Sequence, residues 1–344
     1  MELHFTHTNG PVDEALDSLI ASAGDVSHQD LVREMILAAL KAGQEGMLRA
    51  DLKLMNSTLK EMRFTGKIFG RYRHVRKVTV FGSARTAPDE GIYQMAHLFG
   101  RRLAEAGYMV ITGAGPGIMQ AANEGAGPEH SFGVNIRLPF EQRPNPVLEG
   151  NPRLITYKYF FNRKVAFLKE AHAIALFPGG FGTLDEAMET LTLVQTGKRA
   201  PLPLMLLDVP GGTYWERWLD FLREELLSRQ YVSPSDFCIF RLATSVAEAV
   251  EVIDRFYRRF HSLRYVKGTL VIRLTREISA AELVGLRLRF DDILAPGGGM
   301  RLCAALPEEV DEPELSHLPR LAVDFNRHDF GRLCALIADI NEIP

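Results

Sequence analysis

Two short segments of the chain carry residue types that could bind and act on a phosphorylated compound. Arg163 and Lys164 are adjacent in a stretch with helical spacing, and a glycine-rich turn at Pro178–Thr183 follows the next apolar run. Arginine grips a phosphate in a bidentate fork, and lysine adds a point charge. Glu186, at the start of the helix predicted after the turn, is the candidate acid, and Glu189 is a second, weaker candidate.

Glycines stand directly after three predicted strands. Val78–Phe81 leads to Gly82-Ser83-Ala84-Arg85, Met109–Thr112 leads to Gly113-Ala114-Gly115-Pro116-Gly117, and Ala173–Phe177 leads to Pro178-Gly179-Gly180-Phe181-Gly182-Thr183. In a parallel sheet these turns share one edge, the edge at which ligands of open α/β sheets bind. A helix that begins after such a turn offers free N–H groups to a phosphate, and glycine lets the backbone come close to it.

The spacing of these glycines narrows the choice of ligand. The pattern at Gly113–Gly117 is not the dinucleotide fingerprint, and no Gly-Lys-Ser/Thr follows Gly179–Thr183 as a P-loop requires. NAD and ATP are therefore disfavoured. The pattern favours a smaller phosphate ligand, such as a mononucleotide, held by backbone amides and one or two cations.

Two of these assignments have plain structural alternatives. Thr183 and Glu186 match a capping box, with threonine at the N-cap and glutamate three residues later. A capping role for Glu186 is at least as common as a catalytic one. Phe160 and Phe161 could flank a base, although aromatic residues in such a run more often form the buried face of a helix. The sequence leaves both questions open.

Five apolar runs alternate with helical patterns and predict an α/β fold for the middle of the chain: 78–81, 109–112, 133–138, 173–177 and 204–207. We expect a doubly wound, Rossmann-like parallel sheet with helices on both faces, because the strand-like runs are apolar on both faces. The predicted organisation is an N-terminal helical segment over residues 1–76, the Rossmann-like domain over 77–262, and a small α+β module of order β-α-β-β-α over 263–344.

Composition and charge exclude several classes of protein and partner. Of 344 residues, 46% are hydrophobic and 24% charged, and 40 Lys and Arg against 43 Asp and Glu leave a net charge of −3. This balance argues against nucleic acid as a partner. The basic stretch at 60–77 has two interpretations, a solvated helix face plus linker, which is the commoner case, or an anion-binding or partner surface. No apolar run approaches the roughly 20 residues of a membrane helix, so no membrane contact is expected.

Cysteine usage and the start of the chain bear on the compartment. The three cysteines are far apart and form no Cys-x-x-Cys pair: Cys238, Cys303 and Cys334. Such a set favours reduced thiols, and the first residues lack a secretory signal. A cytoplasmic protein is predicted.

The paired motif resembles one known family. Arg163-Lys164, followed by Pro178-Gly179-Gly180-Phe181-Gly182-Thr183-Leu184-Asp185-Glu186, resembles the signature of the Lonely Guy (LOG) family, long mislabelled as lysine decarboxylases. The resemblance extends to Phe81–Arg85 and Thr112–Met119 and covers roughly residues 77–235. It implies a phosphoribohydrolase that cleaves the N-glycosidic bond of a nucleoside 5′-monophosphate, such as AMP or a cytokinin ribotide, into free base and ribose 5-phosphate.

The resemblance also implies roles for individual residues. Arg163 and Glu186 match the family's catalytic pair. Further matches are to the phosphate- and ribose-binding loop (Gly179, Gly180, Gly182, Thr183) and to other substrate contacts (Lys164, Ser83, Gly113, Gly115, Gly117). Family members are dimers or larger, so a homodimer or higher homo-oligomer is expected, with no metal or other cofactor. The alternative is a non-enzymatic nucleotide-binding protein or a molybdenum-cofactor carrier of the same fold.

Overall fold

The computed structural model describes residues 9–138 and 143–343. The first residues of the chain, which were predicted to lack a secretory signal, lie largely outside these ranges. Contacts divide the chain into two units, Met1–Phe64 and Thr65–Pro344. The first unit is helical, with α1 (Pro11–Ser22), α2 (Gln29–Gln44) and most of α3 (Arg49–Phe69). Arg33 of α2 donates to the carboxylates of Asp13 and Asp17, which joins α1 to α2.

The second unit contains a parallel sheet, built among the described residues from seven strands. These are β1 (Lys77–Phe81), β2 (Met109–Thr112), β3 (Ser131–Ile136), β4 (Leu154–Tyr157), β5 (Ala173–Leu176), β6 (Leu204–Leu207) and β7 (Phe240–Ala243). Their order across the sheet is β4-β3-β2-β1-β5-β6-β7, and every neighbouring pair is parallel. The strand order reverses between β1 and β5, which makes that crevice the topological switch point.

Helices cover both faces of this sheet. They are α4 (Gly91–Glu105), α5 (Ile118–Ala126), α6 (Phe160–Glu170), α7 (Phe181–Gln195), α8 (Tyr214–Phe221) and α9 (Val246–Phe256). Alternate residues of β1 divide between the two cores: Phe81 packs with α6, α7 and α8, whereas Val78 and Val80 pack with α4, α5 and α9. The predicted doubly wound α/β fold is confirmed.

A second, antiparallel sheet completes this unit. Its strands are β8 (Phe260–Val266), β9 (Thr269–Leu274), β10 (Met300–Cys303) and β11 (Arg320–Val323), in the order β10-β11-β9-β8. Helices α10 (Ala280–Arg289) and α11 (Phe330–Glu342) pack on it. The predicted order β-α-β-β-α lacked β8, whose residues are mostly half-buried and polar. The predicted boundaries of the three segments stay predictions.

Two strands of the parallel sheet also lay outside the predicted runs. They are β4 and β7, the two edge strands, and each is only partly buried. Strands buried on both faces are continuous apolar runs. These edge strands contain exposed positions, so their sequences are less apolar and harder to recognise as strands. Within the described part of the chain, the helices are too short or too polar to cross a lipid bilayer.

Candidate active site

The three glycine-rich turns meet at the carboxyl edge of the parallel sheet, around the switch point. The backbone N–H of Ser83, after β1, donates to the carbonyl of Pro178, after β5, at 3.0 Å. The carbonyl of Ser83 in turn accepts from the N–H of Ile118, the first residue of α5, at 3.0 Å. The predicted convergence of the three turns is therefore present, and backbone hydrogen bonds hold them together.

Two glycines are required where these turns touch. Gly117 has a φ of +67°, and a Cβ there would overlap the carbonyl oxygen of Ser83. A Cβ on Gly179 would overlap Thr183 Oγ1 and lie 3.0 Å from the backbone nitrogen of Ser83. Both positions therefore need the missing side chain for close backbone approach.

A cleft of about 720 Å³ opens at this edge. Its lining includes the predicted residues Ser83, Arg163, Gly179, Gly180, Gly182, Thr183 and Glu186. The lining, as described, lacks four of the predicted site residues: Gly113, Gly115, Gly117 and Lys164. Most of the predicted residues thus surround one space large enough for a nucleotide.

Helix α7 presents its N-terminus to this cleft. It begins at Phe181, with Gly180 as N-cap, and no side chain caps it. Thr183 is consequently the third residue of the helix and Glu186 the sixth, so the capping-box interpretation of Glu186 is wrong. The uncapped N–H groups of the first turn and the positive end of the helix dipole suit an anion.

Glu186 is a buried carboxylate with incomplete pairing. Its side chain is 10% exposed, Oε1 lies 3.8 Å from Lys164 Nζ, and Oε2 has no hydrogen-bond partner among the described residues. Burial raises the pKa of Glu186 to about 7; Glu189 and Asp185 push in the same direction, while Lys164 and Arg163 oppose them. A carboxyl group with this pKa can hold or release a proton near neutral pH.

Arg163 lies beside Glu186 in an aromatic setting. Its guanidinium carbon is 5.9 Å from the ring centre of Phe160 and 5.1 Å from that of Phe167. Burial lowers its pKa, against the attraction of Glu186, and Nε has no acceptor among the described residues. A Cβ on Gly113 would lie 2.9 Å from Arg163 Nη2. Gly113 therefore acts on the cleft indirectly, by leaving room for Arg163.

Lys164 points toward the acids of α7. Its Nζ is 2.8 Å from Asp185 Oδ2 and 2.6 Å from Glu189 Oε2. Burial lowers the pKa of Lys164, but the hydrogen bonds to Asp185 and Glu189 outweigh it and the net shift is upward. This geometry ties α6 to α7 and fixes the charge balance around Glu186.

Sequence reasoning missed Tyr214 and misassigned the aromatic run. The hydroxyl of Tyr214 donates to the carbonyl of Gly179 at 2.6 Å, and the residue lines the cleft. Asp208, directly after β6 at the same edge, accepts from the Tyr214 N–H at 3.2 Å. An acid directly after a predicted strand was the available signal.

Phe160 and Phe161 are 56% and 47% exposed, so the buried-face interpretation is wrong for both.

Comparisons with known proteins match the part of the chain that contains this site. Residues 117–253 match the model of a family described as possible lysine decarboxylase. The chain is 31% identical over 144 residues to a pyrimidine/purine nucleotide 5′-monophosphate nucleosidase of Escherichia coli strain K12, covering 38% of this chain and 31% of that protein. It is 24% identical over 187 residues to a probable cytokinin riboside 5′-monophosphate phosphoribohydrolase of Oryza sativa subsp. japonica, covering 54% and 72%. The resemblance inferred from the paired motif is confirmed.

A solved structure also aligns with the chain. The molybdenum cofactor carrier protein of Chlamydomonas reinhardtii is 19% identical, with a TM-score of 0.36, and the alignment covers 53% of this chain and 97% of that one.

Proposed function

We propose that this chain hydrolyses the N-glycosidic bond of nucleoside 5′-monophosphates, because residues 117–253 match the family described as possible lysine decarboxylase. The relatives named above are nucleosidases and phosphoribohydrolases of nucleotide 5′-monophosphates. The products would be a free base and ribose 5-phosphate. AMP and related purine or cytokinin ribotides are the substrates to test first.

The 5′-phosphate would bind at the uncapped N-terminus of α7. Gly180 and Gly182 leave the backbone there open, since a Cβ at either position would meet no atom within 4 Å. Backbone N–H groups and the helix dipole supply the attraction. Arg163 adds a cation nearby. Binding energy from the phosphate would align the distant glycosidic bond for reaction.

Glu186 would act at the sugar. When the C1′–N bond breaks, the electron pair leaves with the base and the ribosyl centre becomes positively charged. An ionised Glu186 would stabilise this charge and accept a proton from the water whose oxygen bonds to C1′. That proton would then pass to the nitrogen of the departing base, which gives the free base and restores the carboxylate. Its Oε2 accepts no hydrogen bond from the described residues, so the carboxylate is not fully committed to another group.

The single observation that carries this proposal is the buried, unpartnered Glu186 oxygen beside Arg163, in the same cleft as the uncapped helix. Incubation with a panel of nucleoside 5′-monophosphates and detection of free base tests it. Base released from AMP but not from adenosine supports a phosphate-dependent hydrolase. Binding of AMP with no release of base from any member of the panel would instead support the non-enzymatic alternative.

Replacement of the carboxylate tests the assigned role of Glu186. Glu186→Gln keeps the size of the side chain but removes its charge, so we expect turnover to fall by about 100-fold or more with AMP affinity nearly unchanged. Steady-state kinetics and equilibrium binding measure the two effects. Glu149→Gln, an exposed glutamate outside the cleft, is the matched control. Unchanged turnover in Glu186→Gln would reject Glu186 as the catalytic carboxylate.

Two further expectations stay predictions. They are the homodimer or higher homo-oligomer that the family resemblance implies and the cytoplasmic location that the cysteines and the start of the chain predict. Light scattering of the purified protein measures the first of these.

A further inference from the structure

A second large cavity lies at the opposite edge of the parallel sheet. Its volume is about 770 Å³. Most of its lining comes from segments that directly precede strands: residues 73–76 before β1, 106–108 before β2, 169–172 before β5 and 199–202 before β6. Residues around β8 close another side. The cavity therefore lies between the amino edge of the parallel sheet and the antiparallel sheet, away from the candidate active site.

Positive charge dominates the wall of this cavity. Four cationic side chains line it, against a single acidic lining residue, Glu314: the cations are Arg73, Arg76, Lys169 and Arg199. Lys169 is paired with Glu170 at 2.6 Å. Among the described residues, no carboxylate forms an ion pair with the three arginines. The cavity wall thus carries an excess of positive charge in a protein whose net charge is −3.

Arg199 has an unsatisfied donor. One terminal nitrogen donates to the carbonyl of Ala171, and Nε is buried without an acceptor among the described residues. Burial lowers the pKa of this guanidinium, against the attraction of Tyr257 and Glu170. A buried N–H without a partner is costly, and most such groups in folded proteins find one. The buried Nε cannot itself reach a ligand in the cavity, so Arg199 contributes to binding through the positive charge that it places on the wall.

Arg76 is held in place by an aromatic ring. Its guanidinium carbon is 4.1 Å from the ring centre of Tyr257, and the Tyr257 hydroxyl donates to the carbonyl of His172 at 2.5 Å. Tyr257 follows α9 and leads into β8. The stacked guanidinium keeps a fixed orientation, which reduces the entropy lost when it binds a ligand.

Histidines on the same wall respond to this charge. Burial lowers the pKa of His172 to about 4, and Lys77, Arg199 and Arg76 lower it further. Burial also lowers the pKa of His261, with Arg76 and Arg273 adding to the effect and Glu312 opposing it. Both side chains are neutral at pH 7, and both experience a net repulsion by nearby cations.

We propose that this cavity, which we call the amino-edge cavity, binds a phosphorylated small molecule through Arg73, Arg76 and Arg199. Arginine forks match the geometry of phosphate oxygens. The volume lies within the range of small-molecule sites, which favours a small ligand over a polymer. Strand β1 separates Arg76 from the Ser83 turn by five residues, about 16 Å of extended chain. The ligand is therefore not the substrate in the act of cleavage but a separate occupant.

Calorimetric titration with inorganic pyrophosphate tests this proposal without any need for turnover. We expect the full-length protein to bind it and the double variant Arg73→Gln/Arg76→Gln to bind at least about tenfold more weakly. Arg101→Gln/Arg102→Gln removes the same number of arginines from the exposed face of α4, outside the cavity, and is the matched control. Arg73→Gln alone changes an exposed side chain and serves if the double variant does not fold.

The outcomes separate this site from the active-site cleft. Loss of affinity in the Arg73/Arg76 variant, with affinity retained in the control and in Arg163→Gln, supports the amino-edge cavity whether or not the protein hydrolyses AMP. An equal loss in the Arg101/Arg102 control would show non-specific attraction and overturn the proposal. No binding by the unmodified protein, or affinity lost in Arg163→Gln and retained in the Arg73/Arg76 variant, would also overturn it.

Discussion

The proton on Glu186 is the property through which a single residue would control the proposed reaction. Burial raises its pKa to about 7, more than Lys164 and Arg163 lower it. The ionised form needed for catalysis is therefore lost as pH falls through 7, rather than near 4.5, the ordinary pKa of a glutamate. Lys164 does not offset the effect of burial on this pKa. Its Nζ is 3.8 Å from Glu186 and is also paired with Asp185 and Glu189.

A pH profile tests this assignment. We expect kcat/KM for AMP to rise about tenfold per pH unit on the acidic side and to level off above about pH 7, because only ionised Glu186 stabilises the positive sugar. Initial rates in buffers of constant ionic strength measure the profile. A profile that falls as pH rises through 7 would mean that Glu186 acts as a proton donor instead, and this would contradict the proposed role.

The same burial predicts a cost in stability. Because the folded-state pKa is raised, the ionised carboxylate destabilises the native state, and this cost grows between about pH 4.5 and 7 and is complete above that range. The free energy of unfolding of Glu186→Gln, relative to that of the unmodified protein, should be higher at pH 8 than at pH 4.5 by on the order of 2–3 kcal/mol. Urea unfolding at the two pH values measures this gain. An equal effect of the substitution at both pH values would contradict the burial argument.

Which site residues could be predicted depends on the range of their contacts. Arg163 and Glu186 belong to short motifs next to predicted elements, and the sheet topology brings them together. The pairing of Lys164 with Asp185 and Glu189 depends on how α6 packs against α7. The hydrogen bond from Tyr214 to Gly179 joins residues 35 positions apart. Neither contact leaves a periodic signal in the sequence, so neither could be predicted.

At the level of single elements, the start of α7 determines how the cleft works. Beginning the helix at Phe181 rather than at Leu184 leaves its first N–H groups uncapped and turns Glu186 inward. The close packing of Gly179 against Thr183 and Ser83 makes this start possible. The capping-box pattern predicts a later start of α7 because it depends on side-chain types alone. The backbone packing of the three turns determines where the helix begins.

A pair of adjacent glycines tests this packing. Gly179→Ala introduces a methyl group that overlaps Thr183 Oγ1, so we expect a loss of about 1–3 kcal/mol in stability and weaker AMP binding. Gly180→Ala is the control, since its methyl group would meet no protein atom within 4 Å. Thermal unfolding followed by circular dichroism measures both variants. Equal unfolding temperatures for the two would contradict the close-packing argument.

The prediction of strands followed their burial. The three central strands that lead into glycine turns, β1, β2 and β5, are buried along their whole length and were recognised from apolar runs. The edge strands β4 and β7 mix buried positions with half-buried and exposed ones over only four residues each. Short mixed stretches of this kind are also common in loops, so what defines these strands is pairing with a neighbour, which the sequence does not display.

Across the unit formed by residues 65–344, the two ends of the parallel sheet carry different sites. The carboxyl edge holds the cleft with Glu186, and the amino edge holds the amino-edge cavity, which the antiparallel sheet helps to enclose. Helix α11 connects the two sheets. Asp329 at its N-cap accepts from Ser235 Oγ at 2.8 Å, and Gln195 of α7 donates to the neighbouring Asp236 at 2.7 Å. The antiparallel sheet is thereby joined to the helix that carries Glu186.

This connection predicts cooperative unfolding of the whole unit. Gly331 of α11 lies against the backbone of Ser235, and a Cβ there would overlap its carbonyl oxygen. We expect Gly331→Ala to cost about 1–3 kcal/mol and to lower the unfolding temperature of both sheets together by several degrees. Gly285→Ala in α10 is the matched control: its nearest atom would be an ordinary 3.9 Å away, and alanine in a helix stabilises by about 1 kcal/mol. If calorimetry of Gly331→Ala instead resolved a low-temperature transition of the antiparallel sheet beside an unshifted transition of the parallel sheet, the two sheets would unfold independently, and the connection through α11 would not couple them.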